Sequence, residues 1–484
     1  MKQTKIVASI SDLRCEEDFI KSLYDAGMNV VRMNTAHGTR EGMMRLIANV
    51  RKVSNRIALL IDTKGPEVRT TRIDGADEIS YKAGDQVKMT GNPDLLTTRE
   101  QIAVSYPKFA QDLHAGDDIL IDDGEMELKV VEERGDCLLC EVLNDSVLGS
   151  RKSVNVPGVR INLPSVTAKD KANIAFAVEQ GLDFVAHSFV RNCQDVLEVR
   201  KILDDLHSDI QIIAKIENQE GVDKIDEIIK VADGIMVARG DLGIEVPQEE
   251  IPGIQRGIIR KCVFARKPVI VATQMLHTMI QNPRPTRAEV TDIANAIFSS
   301  TDAVMLSGET AYGKHPVEAV KTMASVARQA EKDKMPDQNI IMHVADSPDV
   351  TAFLAKQAVK ATDLLPVKAI ITDSFSGRTA RYLAAYRGKW PVLAICHTEK
   401  TMRRLALSYG VSPIYLPGKK NGQDYYIAAL NLLLDKGWIK PGEMVAYLSS
   451  GLQSTHTTFL EINRVAEVLE AANRYVLPNS NKLI

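Results

Sequence analysis

The sequence is poor in cysteine and has no long apolar run. Six cysteines are spread over 484 residues, which is too few and too dispersed for a disulfide framework and suits a reducing compartment. No apolar stretch approaches the ~20 residues of a membrane span. The N-terminus, Met1 to Lys5 followed by a short apolar run, differs from a signal peptide. We therefore expect a soluble, cytoplasmic protein.

The chain also lacks a dense basic block. Lys and Arg number 60 and Asp and Glu number 63, so the formal net charge is −3. This balance argues against general binding of nucleic acid or of an anionic membrane. Hydrophobic residues at 45% and charged residues at 25% are typical of a globular protein, and the length predicts two or three domains.

One pair of cysteines, Cys137 and Cys140, has the spacing of half a metal or redox motif. No second Cys or His pair lies at zinc-ligand spacing. We therefore favour two small residues in a half-buried strand over a metal or redox role.

Short runs of Val, Ile, Leu and Ala recur along the chain, each followed by an amphipathic stretch that ends near a glycine. Such runs are typical of parallel strands buried on both faces, and the stretches between them, such as 15–26 and 222–232, predict helices. The runs are 5–10, 29–33, 57–62, 183–188, 211–216, 234–237, 268–272 and 302–306. Eight strand–helix repeats predict an α/β fold of the (β/α)8 TIM-barrel type, with a doubly wound sheet as the less favoured alternative.

The repeat is interrupted once, between residues 62 and 183. Gly/Asp turns there separate alternating apolar and polar residues, for example over 117–131, which is typical of antiparallel strands. We predict an inserted all-β, barrel-like lid domain at 70–163, within a barrel domain formed by 1–69 and 164–340.

A second α/β series follows a polar stretch near residue 340. Its apolar runs are 368–372, 391–396, 411–416 and 443–449. They predict a C-terminal domain at 345–484 built on an open parallel sheet.

The carboxyl ends of the predicted barrel strands carry many charged and hydroxyl side chains, and reactive groups of a TIM barrel gather at that end. The set comprises Arg32, Asp62, Arg69, Lys215, Glu217, Asp241 and Thr273. Glu217 and Asp241 are hard oxygen ligands suited to Mg2+ or Mn2+. The cations beside them would neutralise a substrate carrying phosphate and carboxylate and stabilise a phosphoryl group in transit. Structural salt bridges could explain any one of these residues, but six such strand ends together favour catalysis.

A nucleotide would have to bind without a P-loop. Gly308 and Gly313-Lys314 have the glycine spacing of that motif, but His315 stands where a Ser or Thr must reach Mg2+. A phosphoryl-transfer enzyme on this scaffold therefore needs other phosphate-binding groups.

Several stretches resemble the pyruvate kinase family over nearly the full chain. Residues 237–243 read Val-Ala-Arg-Gly-Asp-Leu-Gly and residues 62–67 read Asp-Thr-Lys-Gly-Pro-Glu, and both motifs are highly specific. The other matching stretches are 4–9, 29–38, 60–69, 154–164, 214–222, 236–245, 272–276, 283–289 and 305–311. The resemblance implies a barrel domain, an inserted lid and a C-terminal regulatory domain. It also implies the last step of glycolysis, in which phosphoenolpyruvate and ADP give pyruvate and ATP.

The resemblance further implies roles for individual residues. Lys215 would steady the phosphoryl group in transit, Arg32 would contact the phosphate, and Glu217 and Asp241 would hold Mg2+ or Mn2+. The backbone of Gly240 and Asp241 and the Thr273 hydroxyl would bind the substrate carboxylate, and the neighbourhood of Thr273 would protonate the enolate. The nucleotide would be contacted by His37, Arg69 and Lys152.

A potassium site is implied at Asn34, Ala36, Asp62 and Thr63, and here the sequence departs from the family. Ala36 stands where members usually have Ser, so one hydroxyl ligand is missing. Glu67 matches the potassium-dependent branch. We expect potassium to be used, more weakly, with water in the vacant position.

A hydroxyl-rich strand-to-helix turn in the C-terminal domain could cradle the phosphate of an effector. Its residues are Thr372, Ser374, Ser376, Gly377 and Thr379. A similar loop binds a sugar phosphate in the family, but the partner loop 449–454 is not the glycine-rich form of fructose-bisphosphate-activated members. A plain capped turn is an equally open alternative. The resemblance also implies a homotetramer.

Two other functions remain open at this point. One is a Mg2+-dependent enolpyruvate carbon–carbon lyase on the same barrel, and the other is a non-catalytic, effector-binding relative. Lys215 and the inserted lid favour the kinase over the lyase. The intact set Lys215, Glu217, Asp241 and Thr273 disfavours the non-catalytic relative.

Overall fold

A computed structural model describes residues 2–35, 38–334, 349–418, 422–450 and 457–475. Within these ranges, no helix combines the length and the apolar character needed to cross a lipid bilayer.

The first strand–helix repeats follow the sequence pattern closely. They are β1 (Lys5–Ser9), α1 (Glu17–Ala26), β2 (Val30–Asn34), α2 (Arg40–Val53) and β3 (Ala58–Asp62). Helix α1 ends at Gly27, whose φ of 123° disfavours any residue with a Cβ. Helix α2 begins after Thr39, whose hydroxyl accepts a hydrogen bond from the Gly42 N–H. These residues set the helix ends that the sequence indicated.

An almost all-β segment follows β3. It comprises β4 (Val68–Arg69), β5 (Glu78–Tyr81), β6 (Gln86–Thr90), β7 (Gln101–Ala103), α3 (Phe109–Asp112), β8 (Asp118–Ile121), β9 (Met126–Glu133), β10 (Cys137–Val142), β11 (Ser146–Gly149) and β12 (Ser153–Asn155). Seven of these strands form one sheet in the order β4-β12-β8-β9-β10-β6-β7, and β5 pairs with β11. The segment has its own apolar core around Phe109 and Leu128. Val68 and Arg69, which we assigned to the barrel side of the boundary, pair with β12 in the inserted sheet.

The strand–helix alternation then resumes. Its elements are α4 (Ala168–Glu179), β13 (Phe184–His187), α5 (Cys193–Asp205), β14 (Gln211–Ile216), α6 (Gln219–Asp223), α7 (Ile225–Val231), β15 (Gly234–Ala238), α8 (Arg239–Glu245), α9 (Ile251–Ala265), β16 (Val269–Ala272), α10 (Arg287–Phe298), β17 (Ala303–Leu306), α11 (Gly308–Ala311) and α12 (Pro316–Asp333). Short 3₁₀ helices span Gln248–Glu250 and His277–Ile280. The prediction of a single helix over 222–232 is wrong. Asn218 caps an earlier start, and the chain turns at Lys224 between α6 and α7.

Eight strands of the described chain close a parallel barrel in sequence order, β1-β2-β3-β13-β14-β15-β16-β17. The TIM-barrel prediction is confirmed, and closure excludes the doubly wound sheet. The inserted sheet leaves the barrel between the third and the fourth strand. This position puts it at the carboxyl end of the barrel, above the expected site.

The C-terminal elements form a second α/β layer. They are α13 (Val350–Leu364), β18 (Val367–Ser374), α14 (Arg378–Ala385), β19 (Val392–Cys396), α15 (Glu399–Arg404), a 3₁₀ helix (Leu405–Leu407), β20 (Val411–Tyr415), α16 (Gly422–Asp435), β21 (Met444–Ser449), β22 (Phe459–Arg464) and α17 (Val465–Tyr475). The sheet order is β20-β19-β18-β21-β22. The first four strands are parallel as expected, but β22 pairs antiparallel with β21. Its alternating sequence and intermediate burial are those of an edge strand.

The C-terminal layer seals the amino end of the barrel. Ala406 and Leu407 belong to the same apolar cluster as the inward-facing barrel residues. A nearly buried ion pair joins Arg387 to Asp302 at 2.7 Å across this seam. The amino end is therefore closed, and the carboxyl end is the open one.

Candidate active site

Strand alternation aims three charged side chains into the carboxyl end of the barrel, its mouth. In β2, β3 and β14 the last inward-facing apolar residue is followed two positions later by a charged one, and residues two apart share a face. The charged residues are Arg32, Asp62 and Lys215. Asp62 and Lys215 are buried. The sequence therefore places these charges on the barrel axis, directly above an apolar layer.

Lys215 is held by three oxygen atoms. Its Nζ lies 2.8 Å from Glu217 Oε1, 2.8 Å from Ser188 Oγ and 3.5 Å from Asp62 Oδ2. Burial would lower the pKa of Lys215, but the negative charges of Glu217 and Asp62 outweigh burial and raise it. Lys215 is therefore a fixed ammonium ion at neutral pH.

Asp62 organises a second cation beside the first. Its Oδ2 forms an ion pair with Arg32 Nη2, and Arg32 Nη1 donates to Ser9 Oγ at 3.0 Å. Burial would raise the pKa of Asp62, but Arg32 and Lys215 lower it. Both cations line a cavity of about 350 Å³. Four cationic and four carboxylate side chains line this cavity, so a small anionic ligand would bind there together with a metal cation.

Glu217 and Asp241 come together at the edge of this cavity, as the sequence predicted for a metal pair. Burial and the neighbouring charge of Glu217 raise the pKa of Asp241 to about 7. Two repelling, desolvated carboxylates are a donor set that a divalent cation would relieve. Among the described residues, no group of three or more His, Cys, Asp and Glu side chains converges on one point. The pair therefore fits Mg2+ or Mn2+, which take one or two carboxylates and leave other positions to substrate and water.

Gly240 and Thr273 are joined by a hydrogen bond. The Gly240 N–H donates to Thr273 Oγ1 at 2.7 Å, and that hydroxyl donates to the Ala272 carbonyl at 2.6 Å. Arg239 holds the Thr273 carbonyl at 2.8 Å. Thr273 has a φ of 70°, which is strained for a β-branched residue. Neither Gly240 nor Thr273 lines the 350 Å³ cavity, so both lie beside it, next to Asp241.

A larger cleft of about 740 Å³ lies between the barrel mouth and the inserted sheet. Arg69 lines both cavities, and Lys152 lines the cleft. Arg69 is paired with Glu67 at 2.8 Å and Lys152 with Asp122 at 2.5 Å. The Arg69 pair is bidentate, since Nη2 also lies 2.8 Å from Glu67 Oε2, and Arg69 Nη1 donates to the Arg151 carbonyl at 2.8 Å. The exposed pair of Lys152 is weak, so Lys152 can turn towards an anion in the cleft, whereas Arg69 is held in place where the two cavities meet.

Three of the expected potassium ligands lie at the same mouth. Asn34, Asp62 and Thr63 all line the 350 Å³ cavity. In the part of the chain that the structure describes, Asp62 Oδ1 is buried without a hydrogen-bond partner. Such an oxygen fits a monovalent cation. Ala36 and His37 lie outside the described residues.

The hydroxyl-rich turn of the C-terminal domain makes its own hydrogen bonds. Ser374 Oγ accepts from the Gly377 N–H at 3.0 Å, and Ser376 Oγ accepts from the Arg378 N–H at 3.4 Å. Thr379 Oγ1 lies 2.8 Å from Thr457 Oγ1, and Thr372 is buried in β18. Gly377 has a φ of 81° directly before α14. These contacts are those of a capped turn, and residues 451–454 of the partner loop lie outside the described ranges.

Cys137 and Cys140 both lie in β10. Three positions apart, they point to opposite faces of the strand. Burial raises the pKa of Cys140 to about 12, so it is a thiol. The pair cannot share one ligand, in keeping with the preferred interpretation.

Two site residues escaped the sequence analysis. Ser188 Oγ contacts Lys215, and the Phe189 N–H donates to Glu217 Oε2 at 2.6 Å. Both residues follow directly after β13, the fourth barrel strand. Their position at a carboxyl end is the signal that could have found them.

His187 supports the mouth from the outer face of β13. It is fully buried, its Nδ1 lies 3.2 Å from Thr63 Oγ1, and burial lowers its pKa to about 4 despite the nearby charges of Asp195 and Asp170. In the unfolded chain a histidine titrates near 6.5. The folded state therefore binds fewer protons between pH 6.5 and 4, and its stability falls as the pH drops through that window.

We expect His187→Asn to flatten this acid sensitivity. Between pH 7 and pH 5 the wild type should lose about 2 kcal/mol of unfolding free energy through His187, and the variant should be spared that loss. Urea unfolding at the two pH values measures the difference. His114→Asn, at an exposed position, is the matched control and should keep the wild-type slope. Equal slopes for His187→Asn and wild type would contradict the prediction.

Comparisons with known proteins agree on one family. A family model described as "Pyruvate kinase, barrel domain" matches residues 1–320, and one described as "Pyruvate kinase, alpha/beta domain" matches residues 353–462. The pyruvate kinase of Borreliella burgdorferi is 47% identical over 477 residues, which cover 98% of this chain and 99% of the relative. That of Geobacillus stearothermophilus is 44% identical over 481 residues, covering 97% and 81%.

A solved structure gives the same result. A pyruvate kinase from Cryptosporidium parvum superposes with a TM-score of 0.91 at 36% sequence identity, and the match covers 96% of each chain. The likeness therefore extends through the barrel, the inserted sheet and the C-terminal layer.

Proposed function

The chain belongs to the pyruvate kinase family, and from that premise we propose how its barrel mouth performs the family reaction. The protein is a glycolytic phosphotransferase, which transfers the phosphoryl group of phosphoenolpyruvate to ADP and gives pyruvate and ATP. Family membership sets aside the lyase and the non-catalytic relative. The observation that carries the site proposal is the pair of cations, buried Lys215 and partly buried Arg32, that Asp62 holds side by side.

The proposed phosphoryl site is this cation pair. During transfer the bond from phosphorus to the enol oxygen breaks, and a bond from phosphorus to a β-phosphate oxygen of ADP forms. The electron pair stays on the enolate, which takes a proton at its methylene carbon to give pyruvate. Arg32 binds the phosphate of the bound substrate, and Lys215 stabilises the charge of the phosphoryl group in flight. Both cations are fixed before the substrate arrives, so little reorganisation is needed during the reaction.

Glu217 and Asp241 are the proposed ligands of Mg2+ or Mn2+. When bound, the cation supplies positive charge next to the anionic oxygens of the substrate. The raised pKa of Asp241 means that its proton must leave when a metal binds.

The substrate carboxylate is proposed to bind at the start of α8, at Gly240 and Asp241, with the Thr273 hydroxyl. Since the Gly240 N–H now donates to Thr273 Oγ1, it must exchange that partner for the carboxylate. Arg239 keeps the strained Thr273 backbone in place meanwhile.

The nucleotide is proposed to occupy the larger cleft, beneath the inserted sheet. Arg69 and Lys152 are its phosphate contacts, together with His37 outside the described ranges. Arg69 lines both cavities, so it can contact both ADP and phosphoenolpyruvate. In this proposal the inserted domain at 70–163 acts as a lid on the barrel of 1–69 and 164–340, followed by the regulatory domain at 345–484.

Potassium is the proposed monovalent cofactor, bound by Asn34, Asp62 and Thr63 with water in place of the side chain that Ala36 lacks. When bound, it supplies one more positive charge beside the substrate phosphate. A single lost ligand costs about 1 kcal/mol, so Ala36→Ser should lower the half-saturating potassium concentration roughly fivefold.

The assay that tests this proposal measures pyruvate formed from phosphoenolpyruvate, ADP and Mg2+, with potassium chloride or with tetramethylammonium chloride. Turnover should rise with potassium in both the wild type and Ala36→Ser. A wild-type enzyme that turns over equally in either salt would overturn the potassium proposal. No turnover in either salt would overturn the function itself.

An effector and an assembly of identical chains are also proposed. The turn at 372–379 is a candidate phosphate site for an effector, because it lies at the start of α14. The Gly377 and Arg378 N–H groups, which now donate to Ser374 Oγ and Ser376 Oγ, would exchange these partners for the phosphate. A homotetramer is supported by the exposed apolar side chains of α13, among them Phe353 and Leu364. The particle mass in solution checks the second proposal.

A further inference from the structure

Ser188 lies one residue beyond β13 and is 2% exposed. Its hydroxyl lies 2.8 Å from Lys215 Nζ and 2.8 Å from the Thr63 carbonyl oxygen. Its N–H donates to Thr63 Oγ1 at 3.0 Å. One buried side chain therefore connects the ammonium group of Lys215 to the end of β3.

The direction of these hydrogen bonds is determined by their chemistry. A carbonyl oxygen can only accept and an ammonium group can only donate. The single hydroxyl proton of Ser188 therefore goes to Thr63, and its oxygen accepts from Lys215. In such a series of hydrogen bonds, each bond polarises the next one and strengthens it.

The acceptor at the end of this chain is itself held in place. The Thr63 N–H donates to the Ala186 carbonyl at 2.9 Å, within the barrel wall. A Cβ on Gly65 would come within 2.9 Å of Ser188 Cβ and 2.8 Å of Phe189 Cδ2. Only glycine at position 65 therefore leaves space for the segment that carries Ser188.

The next residue orients the other partner of Lys215. The Phe189 N–H donates to Glu217 Oε2 at 2.6 Å, and Phe189 has a φ of 55°, in the left-handed region. The turn after β13 thus places the ammonium group through Ser188 and the carboxylate through Phe189.

We propose that Ser188 is a positioning residue for phosphoryl transfer, whose hydroxyl aims the Lys215 ammonium group at the transferring phosphoryl group. This inference rests on the proposed role of Lys215. Without the hydroxyl, the two remaining ion-pair contacts of Lys215 are both to carboxylates. The ammonium group then turns towards Asp62 and Glu217 and away from the phosphoryl group.

The first test is Ser188→Ala. Because Lys215 acts on the group in flight, kcat should fall roughly 10- to 100-fold, as for the loss of one hydrogen bond to a charged group, while KM for phosphoenolpyruvate stays unchanged. The urea midpoint of unfolding reports any general loss of structure. Ser165→Ala, which removes another buried hydroxyl bonded to Glu198, is the matched control and should leave kcat unchanged.

A double-mutant cycle isolates the action through Lys215. In the Lys215→Met background, Ser188→Ala should cause no further loss of kcat, since residues that act as one unit are not additive. If the two losses multiply, or if Ser188→Ala alone keeps the wild-type kcat, the proposal is overturned.

The remaining outcomes are also decisive. If Ser188→Ala lowers the urea midpoint, Ser188→Cys replaces it, since a thiol keeps the volume and donates weakly. Its kcat should lie below that of the wild type with KM unchanged, and a wild-type kcat would overturn the proposal. Undiminished turnover in Lys215→Met alone would instead refute the proposed role of Lys215.

Discussion

Replacing Lys215 by methionine is expected to lower kcat by roughly 10³-fold or more, the scale seen when a cation that stabilises a transferring phosphoryl group is removed. Lys215 is buried, charged and held by Glu217, Asp62 and Ser188. Methionine keeps most of the volume but supplies no charge. KM for phosphoenolpyruvate should change much less, because Arg32, the proposed phosphate contact, remains. Steady-state rates of pyruvate formation at saturating ADP measure both constants.

Lys267→Met is the matched control for this substitution. Lys267 is also partly buried, but its ammonium group donates to the carbonyl groups of Ile229, Lys230 and Ala232, below the barrel mouth. Its loss should lower the urea midpoint and spare kcat. A Lys215→Met enzyme that is as fast as the wild type would remove Lys215 from the mechanism.

Replacing Glu217 by glutamine is expected to weaken Mn2+ binding by at least about 100-fold, since loss of an outer-shell partner alone costs 10- to 100-fold in metal affinity. Glutamine also disturbs the mouth itself. Oε1 of Glu217 faces Lys215 and Oε2 accepts from the Phe189 N–H. In either orientation of the amide, its NH2 group would therefore face a donor, either the Lys215 ammonium group or the Phe189 N–H. The charge that raises the pKa of Asp241 is lost at the same time.

Electron paramagnetic resonance titration of Mn2+, without substrates, measures this affinity directly. Glu245→Gln is the matched control, because Glu245 is a carboxylate of the neighbouring cleft that accepts from Asn155 Nδ2 at 3.0 Å. It should bind Mn2+ as the wild type does. If Glu217→Gln also binds Mn2+ normally, the metal is held elsewhere.

The barrel was predictable because its signal is local. Each strand is a short apolar run and each helix is bounded by a glycine, a cap or a turn, and these features can be read within a few residues. The element bounds agree to within one or two residues at most strands, for example 211–216, observed as Gln211–Ile216. The break at Lys224 and the antiparallel β22 were missed, since both depend on packing against neighbours.

The candidate site could be predicted where a charged residue stands at the carboxyl end of a barrel strand. Arg32, Lys215, Glu217 and Asp241 stand at carboxyl ends of strands, and the topology of a closed barrel brings all such ends together. Ser188 and Phe189 were not predicted, because a serine and a phenylalanine carry no charge that marks a site. Their importance follows only from two contacts, that of Ser188 with Lys215 in β14 and that of Phe189 with Glu217 just after β14.

The amino-acid sequence by itself determined the strand order, the inward face of each barrel strand and hence which charges meet at the mouth. Period-two alternation and parallel closure follow from backbone geometry, which every residue shares. Only the tertiary structure decided how those charges are paired: Arg32 with Asp62, Lys215 with Glu217 and Ser188, and the Gly240 N–H with Thr273. Apart from Lys215 and Glu217, which are neighbours along the chain, the partners come from different strands, and separations of about 3 Å between them are set by packing of the whole barrel.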